Sequence, residues 1–379
     1  MVQTISDNQK PMKSERNDSI QGLRGIAALL VVAAHSTLNL VQRANYDPLA
    51  TQLAYRLGEV GVRTFFMISG FIMTVTMYDA FGRAGAPKSF LLKRLMRIVP
   101  LYWIATLLYS LRLASEGTPP RWDDLVLSLL FIPYDHGQPY REPVYGLGWT
   151  LNFEMFFYCL LALSLLFRRR HGIVLLLLTL TLWVALGESD LVQPSSEPIQ
   201  AAVYALTSRI VLYFAAGVLL GTARQWLARR SSSSGISTNL AIGIAVAAAL
   251  CYAILVSNGV GIADTPASSL LQICFCVIPT SLCAFATSDD HGGWLRTIFL
   301  EVGNASYSIY LTHSFIMGIA ARAWATLNGD HVTPLSAVLF TALMIIASSI
   351  LGYISFRLIE RPSLDFLRRR ITHDRQAVA

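Results

Sequence analysis

Charged residues are scarce in this chain of 379 residues, since Asp, Glu, Lys and Arg together make up 14% of it. A typical soluble domain carries about 25% charged residues. Hydrophobic residues make up 54% of the chain, and the mean hydropathy is +0.50. The sequence also lacks a long polar block between residues 22 and 358, which excludes a separate soluble domain inside that range. These features predict one integral membrane domain.

Cysteine is also rare, and its placement argues against the usual cysteine chemistry. The five cysteines all fall within apolar segments, and an odd number cannot pair completely. We therefore expect neither a disulfide framework nor a metal site. The net charge of +7 is spread over short clusters between apolar runs, which is typical of membrane topology and not of nucleic-acid binding. No internal repeat is evident, so the inverted-repeat architecture of many transporters is not supported.

Apolar runs long enough to cross a bilayer recur along the chain. A crossing helix needs about 20 such residues. We place ten spans, at residues 22–41, 59–78, 98–114, 149–167, 172–187, 202–222, 239–257, 267–286, 300–322 and 335–358. The run 125–133 is apolar but too short to cross, which predicts a re-entrant or interfacial piece. The expected fold class is an all-α polytopic membrane protein with about ten transmembrane helices.

The distribution of basic residues predicts the orientation of these spans. The polar N-terminal segment 1–18 and the basic tail 366–379 fall on the side that holds most Lys and Arg, whereas the loops 188–201 and 258–266 hold none. Because basic loops stay in the cytoplasm, both termini are predicted to be cytoplasmic. A cleaved signal peptide is the alternative for the first segment. The apolar run continues past His35, which favours an uncleaved anchor.

The first span carries an arginine and a histidine on one helical face. Arg24 and His35 are separated by about three helical turns, so their side chains point in nearly the same direction. Such groups are costly in lipid and normally face a protein interior or a wet cavity. Neutral histidine is a natural general base for a hydroxyl group, so this pair is the first candidate for chemistry.

Three further spans bring ionisable side chains to the predicted depth of His35. Arg63 and Glu154 lie just inside the outer ends of the second and fourth spans, and His313 lies about thirteen residues into the ninth. We expect all four groups in the outer half of the bilayer, with Glu154 paired with Arg63 or with a histidine. The structural alternatives are histidines that only hydrogen-bond between helices and an arginine that extends to the outer surface.

A second group of charges lies at the inner side. Arg94 and Arg97 are three residues apart and share a face at the entry of the third span, and Arg24 opens the first span on the same side. Arginines at an inner helix end suit the phosphates of a cytoplasmic donor such as acyl-CoA. Ordinary anchoring by positive charge is the alternative.

The same residues resemble a known family, the membrane acyltransferase-3 family. Arg24 and His35 match its R-x10-H signature. Four further blocks follow in the family's order over about residues 19 to 365: G-V-R-T-F-F-M-I-S-G-F at 61–71, R-L-M-R-I-V-P-L-Y at 94–102, G-W-T-L-N-F-E-M-F-F-Y at 148–158 and S-Y-S-I-Y-L-T-H at 306–313. Five blocks in the right order are specific, whereas any one of them alone would be weak.

The resemblance implies transfer of an acyl group, usually acetyl, from cytoplasmic acyl-CoA to a sugar on the outer face of the bacterial inner membrane. The block at 148–158 is most similar to exopolysaccharide O-acetyltransferases of the succinoglycan-modifying type. It therefore implies a polysaccharide or a lipid-linked oligosaccharide as the acceptor. On this interpretation residues 19–365 form the acyltransferase domain.

The resemblance also assigns roles to individual residues. His35 would act as the general base or as a transient acyl carrier, and Arg24, Arg94 and Arg97 would hold the CoA phosphates and the pantetheine end. The remaining candidates would contact the acceptor or orient His35: Glu154, Trp149, Arg63, Tyr307 and His313. The rival hypothesis is a proton-coupled transporter in which His35, Glu154 and His313 relay protons. It accounts for the buried charges but not for the face that carries Arg94 and Arg97.

Overall fold

The computed structural model describes residues 17–44, 48–134, 143–189, 191–193, 198–230, 236–261, 265–287, 294–328 and 333–366. Within these residues the chain is helical, with no strand beyond one bridge between Ser237 and Thr287. The helices are α1 Asp18–Ala44, α2 Pro48–Met77, α3 Ala86–Ser115, α4 Trp122–Leu129, α5 Trp149–Ser164, α6 Arg169–Gly187, α7 Pro198–Leu206, α8 Val211–Ala228, α9 Thr238–Ser257, α10 Pro266–Ala284, α11 Trp294–Asn304, α12 Ser306–Asn328 and α13 Pro334–Ser355.

Two short irregular helices adjoin this set. A 3-10 turn, Gly146–Gly148, leads into α5, and a π-helical turn, Phe356–Glu360, extends α13. The predicted N-terminal segment 1–18 and basic tail 366–379 lie almost wholly outside the described residues.

Nine helices in the described part of the chain are long and apolar enough to cross a membrane. Each of the nine overlaps one of the ten predicted spans, in chain order, and the all-helical membrane fold is confirmed, whereas the count of ten spans stays a prediction. The remaining prediction, 300–322, coincides with α11 and α12, which are interrupted at Ala305. Helix α12 is 23 residues long. It is absent from the nine because serine, threonine, histidine and arginine side chains reduce its apolar character.

One predicted span is divided in the structure. The run 202–222 contains the end of α7 and the start of α8, separated by residues 207–210. Polar residues interrupt the apolar pattern at this point. Thr207 donates from its hydroxyl to the Tyr204 carbonyl at 2.7 Å, and Arg209 forms an ion pair with Glu188 at the end of α6. Periodicity alone did not reveal the break because the flanking residues are apolar on both sides.

Contacts between helix ends show which ends share one face of the bundle. Arg296 at the start of α11 pairs with Asp18 at the start of α1, at 2.6 Å. Asp79, just after α2, pairs with Arg169 at the start of α6 and with Arg229 at the end of α8. We call this face the proximal end and the opposite face the distal end. Successive long helices therefore run in alternating directions, as short connections between antiparallel neighbours require.

Close helix crossings around α2 hold the centre of the bundle. Gly61 faces α1, where an added Cβ would lie 2.9 Å from the Ala27 carbonyl oxygen. Gly70 meets Gly217 of α8 so closely that a side chain on either would collide with the opposite backbone. Small residues allow this approach, which is typical of helix packing in membranes. Helix α2 is thereby fixed between α1 and α8.

The segment between α3 and α5 folds back into the bundle from the distal end. The Tyr102 hydroxyl, near the midpoint of α3, donates to the Ser128 carbonyl at 3.1 Å, and Trp103 donates to the Leu129 carbonyl at 2.9 Å. The Tyr102 ring also lies against Gly148. Helix α4 has only eight residues, as expected for a piece too short to cross. Because Gly148 lies beside Tyr102, α5 begins at about the mid-depth of α3.

Candidate active site

Two histidines from distant parts of the chain meet in the bundle. His35 Nδ1 and His313 Nε2 are 2.7 Å apart, and the ring centroids are 5.0 Å apart with an angle of 8° between the ring planes, so the two rings lie edge to edge. His313 is completely buried. Its other ring nitrogen, Nδ1, lies 3.2 Å from the Ile309 carbonyl oxygen one turn earlier in α12. The two histidines, which were expected at one depth, are therefore in direct contact.

A cavity lies among α1, α2, α3, α5 and α12, toward the proximal end from the histidine pair. We call it the arginine cavity. Its polar lining consists chiefly of Arg24, Arg94, Arg97, Glu154, Tyr158 and Tyr307. Apolar side chains such as Phe65, Phe66 and Ile72 complete the wall. Arg24 is therefore inside the protein, as its position on the face of His35 predicted.

The arginine cavity contains more positive than negative charge. Arg97 Nε is 3.5 Å from the Glu360 carboxylate. Among the described residues, no carboxylate lies within 4.0 Å of Arg24 or Arg94. The Arg94 Nε atom is buried without a hydrogen-bond partner, and its guanidinium lies 5.6 Å from the centre of the Phe90 ring. Unpaired arginines at such a depth form a ready site for an anion.

A wider opening adjoins the arginine cavity at the proximal end. We call it the vestibule. Arg24 and Arg97 line both spaces and therefore stand between them. The rest of its wall is mostly polar: Gln21, Glu301, Asn304, Phe356, Arg357, Glu360, Arg361, Leu364 and Asp365. A large polar ligand at the proximal end could thus extend past Arg24 into the arginine cavity.

Comparison with known proteins decides what class of chemistry this arrangement serves. The acyltransferase-3 family, described as an acyltransferase domain, matches residues 17–354, which is nearly the whole chain. The chain belongs to this family. The resemblance inferred from the five sequence blocks is therefore confirmed, and the protein is a multi-pass membrane acyltransferase.

Two curated relatives of this acyltransferase match over most of their length. The exopolysaccharide production protein ExoZ of Rhizobium meliloti (strain 1021) is 31% identical over 329 residues, covering 84% of this chain and 93% of the relative. The acyltransferase MdmB of Streptomyces mycarofaciens is 23% identical over 394 residues, covering 95% of each chain. No solved structure matches the chain. These relationships favour acyl transfer over the proton-coupled transporter.

The environment of Glu154 in the acyltransferase differs from the one expected. The expectation that Glu154 pairs with Arg63 or a histidine is wrong. Its carboxylate accepts hydrogen bonds from Ser69 at 2.7 Å and from Tyr158 at 2.5 Å, and it lines the arginine cavity. The physical reason is the depth of α5. Because this helix starts near the middle of the bundle, a residue five positions along it lies close to the proximal arginines.

Arg63 belongs to a separate polar cluster nearer the distal end. It pairs with Glu59 at 3.6 Å, donates to Gln272 of α10 and lies 5.7 Å from the centre of the Tyr213 ring. Gln272 in turn donates to Glu59 at 2.8 Å. Arg63 is therefore held between α2 and α10 by partners of its own. The four predicted ionisable groups separate into three sites: the histidine pair, the arginine cavity and this cluster.

The remaining predicted residues contribute in different ways. Tyr307 lines the arginine cavity, and its hydroxyl donates to the Ile98 carbonyl of α3 at 2.7 Å. Trp149 is not among the cavity-lining residues and packs edge-on against Phe153, with ring centres 5.9 Å apart. Thr150 and Leu151 instead present the start of α5 to the cavity. The substrate contacts proposed for Trp149 and Tyr307 stay predictions.

Two residues of the site were missed from the sequence. Glu360 is buried, accepts a hydrogen bond from Ser308 at 2.8 Å and holds Arg97. The sequence contained a signal for Glu360, because this acid follows directly on the last apolar run and therefore lies at the same membrane side as Arg97. Tyr310 lines the arginine cavity, and its ring centre lies 6.1 Å from that of His313. It therefore separates the arginines from the histidine pair.

Proposed function

We propose that this acyltransferase moves an acyl group, most readily acetyl, from acyl-CoA to a hydroxyl group of an exopolysaccharide or of its lipid-linked repeat unit. The reaction would take place in the bacterial inner membrane. The observation that carries the proposal is the surplus of arginine charge in a cavity that lies on the face of α1 leading to the histidine pair. Arg24 and His35 are about 16 Å apart along this helix.

The donor would enter from the vestibule. CoA carries several phosphate groups, and Arg24, Arg94 and Arg97 offer guanidinium groups that suit phosphate. The vestibule, which is the wider of the two spaces, would hold the nucleotide portion, and the long pantetheine arm would extend past the arginines toward His35. This route requires the proximal end to be cytoplasmic, where acyl-CoA is made. The clusters of Lys and Arg at the helix connections of that end favour the same orientation.

The chemistry proposed for His35 is general-base catalysis. The acceptor hydroxyl transfers its proton to the imidazole as its oxygen forms a bond to the acyl carbon. The bond from that carbon to sulfur then breaks, and the departing thiolate takes the proton back from the imidazolium to give free CoA. An ester and a thiol result, His35 returns to its neutral state, and no other reactant is needed.

The acceptor class rests on a relative and not on the cavity. ExoZ is an exopolysaccharide production protein, and it is the more similar of the two relatives described above. The acceptor would approach the histidine pair from the distal end, opposite to the donor. This arrangement would allow one active site to join a cytoplasmic donor to a sugar on the outer face.

The experiment is a donor-turnover assay in washed membranes that contain the full chain. With labelled acetyl-CoA and the polysaccharide acceptor, we expect release of free CoA and labelled ester on the polymer. His35→Ala should reduce both by about 10²–10⁴-fold, as loss of a general base typically does. His171→Ala is the matched control, because this histidine is exposed at the start of α6.

Two outcomes would contradict the proposal. If wild-type membranes accumulated a substrate without releasing CoA, the protein would act as a transporter. If His35→Ala protein, present in the membrane at the wild-type amount, still acylated the polymer at the wild-type rate, His35 would have no part in the reaction.

A further inference from the structure

We propose that His313 is a positioning residue that fixes the tautomer of His35, so that the reactive nitrogen of the site is Nε2 of His35. This inference rests on the proposed general-base role of His35. It specifies which ring nitrogen takes the proton and which partner holds the other.

The chain of hydrogen bonds begins at the Ile309 carbonyl. A carbonyl oxygen can only accept a hydrogen bond, and it lies 3.2 Å from His313 Nδ1. The hydrogen of this contact must therefore be carried by Nδ1. A neutral imidazole has one N–H group and one nitrogen with a free lone pair. Nε2 of His313 is then the nitrogen that accepts.

The second bond follows from the first. His313 Nε2 lies 2.7 Å from His35 Nδ1, so the hydrogen between them belongs to His35 Nδ1. The same rule for a neutral imidazole then leaves the lone pair of His35 on Nε2. Nε2 projects from the side of the ring away from His313. It is therefore the atom available to a substrate hydroxyl.

The two competing arrangements are both unfavourable. If His35 accepted from His313 Nε2–H in the neutral pair, His313 Nδ1 would direct a lone pair at the Ile309 oxygen, and two acceptors would face each other. A doubly protonated His313 would place a positive charge on a side chain with no exposed surface. No carboxylate among the described residues lies within 4.0 Å of it. In the neutral chain from Ile309 to His35, each of the two contacts joins one N–H group to one acceptor.

Packing holds the start of this chain in place. Gly352 of α13 lies against the backbone of Ile309, where an added Cβ would come within 2.5 Å of the Ile309 Cα atom. The Ile309 side chain is buried as well. The carbonyl that orients His313 is therefore part of a close crossing between α12 and α13.

The arrangement has a defined role in the transfer step. The proton of the acceptor hydroxyl moves to His35 Nε2, and the His35 Nδ1–H bond to His313 remains in place. The imidazolium that forms is stabilised by the His313 lone pair at Nε2. His313 thus takes the part that a carboxylate plays beside the histidine of a serine-hydrolase triad, where the wrong tautomer costs about 10⁴-fold in turnover.

Three substitutions at one position test this role in the full-length protein. Glutamine can place its Oε1 where His313 Nε2 lies, so His313→Gln supplies an acceptor to His35. His313→Asn reaches only the position of Nδ1, and His313→Leu has no polar atom. We expect His313→Gln to keep kcat within about tenfold of wild type, whereas the other two lose roughly 10²-fold or more. The KM for acetyl-CoA should stay the same in all three, because the arginines are untouched.

The thermal stability of each variant is measured in parallel, and activity is expressed per folded protein. If His313→Leu fails to fold, the comparison of the glutamine with the asparagine variant still decides the question. Equal kcat for those two would overturn the positioning role of His313. If wild-type protein released no CoA from acetyl-CoA, the proposed acyl transfer itself would fail, which is a separate result.

Discussion

The ion pair between Arg97 and Glu360 allows a structural role of the cavity arginines to be separated from a donor-binding role. The two groups are 3.5 Å apart, and their side chains are 23% and 1% exposed. At an effective dielectric constant of about 20, the attraction between unit charges at this distance is about 5 kcal/mol. Removal of one partner from a buried pair typically costs about 3–5 kcal/mol. Since Arg97 is partly exposed, we expect Arg97→Ala to destabilise the protein by about 2–3 kcal/mol.

The same substitution should weaken donor binding. A hydrogen bond to a charged group contributes about 1.5–3 kcal/mol. Loss of one such contact between Arg97 and a CoA phosphate would raise the KM for acetyl-CoA by roughly 10- to 150-fold. A defect in Arg97→Ala alone would therefore be ambiguous, since it would combine lost binding with an uncompensated Glu360 carboxylate.

The double variant Arg97→Ala with Glu360→Gln resolves the ambiguity. Glutamine keeps an oxygen for the Ser308 hydroxyl, which donates to the carboxylate at 2.8 Å, and removes the buried charge. We expect the double variant to regain most of the lost thermal stability while its KM for acetyl-CoA stays raised. The measurements are the unfolding temperature of the purified protein and the donor KM in membranes, for both single variants and the double variant. A double-mutant cycle then gives the coupling between the two residues.

One result would refute this reasoning. If the double variant regained the wild-type KM along with its stability, Arg97 would have no contact with the donor. Donor binding by Arg24 and Arg94 would then be tested by substituting each of them alone. Neither has a carboxylate within 4.0 Å among the described residues, so its removal leaves no paired acid uncompensated.

Two further substitutions or fusions test the cavity and the orientation of the chain. Ser69 and Tyr158 both donate to the same oxygen of Glu154, so Glu154→Gln can keep both hydrogen bonds while it removes a negative charge beside the arginines. We expect the KM for acetyl-CoA to fall about fivefold, equal to about 1 kcal/mol, with an unchanged pH profile of kcat. A shifted pH profile would instead connect Glu154 to His35. Reporters that are active only outside the cytoplasm should be active when fused after residue 262 and inactive after residue 232. Activity in the reverse pattern would overturn the predicted topology.

Much of the fold could be predicted because its signals are local. The apolar runs and their lengths indicate helices that cross a membrane, and nine such helices are present in the described residues. The shared face of Arg24 and His35 follows from helical periodicity within one segment. The break at residues 207–210 was not predicted, because apolar residues continue on both sides of it, and the break at Ala305 was not predicted although Gly303, Asn304 and Ser306 adjoin it.

The depth of the two histidines was predicted well, and that of Glu154 was not. His35 and His313 were expected at one level, and they form a hydrogen bond although they lie on α1 and α12. The depth expected for Glu154 assumed that α5 starts at the outer surface. The contact between Tyr102 and Gly148 instead places the start of α5 near the middle of α3.

The sequence by itself therefore determined the membrane helices, the family and the two residues of α1 that face the interior, because each depends on residues close together in the chain. Only the tertiary structure decided the partners of these residues. The pairing of Arg97 with Glu360, the place of Glu154 among the arginines and the hydrogen bonds from Ile309 to His35 all join distant helices or depend on atomic positions. Such contacts depend on how far each helix is displaced along its axis when the helices pack, and no local pattern encodes that displacement.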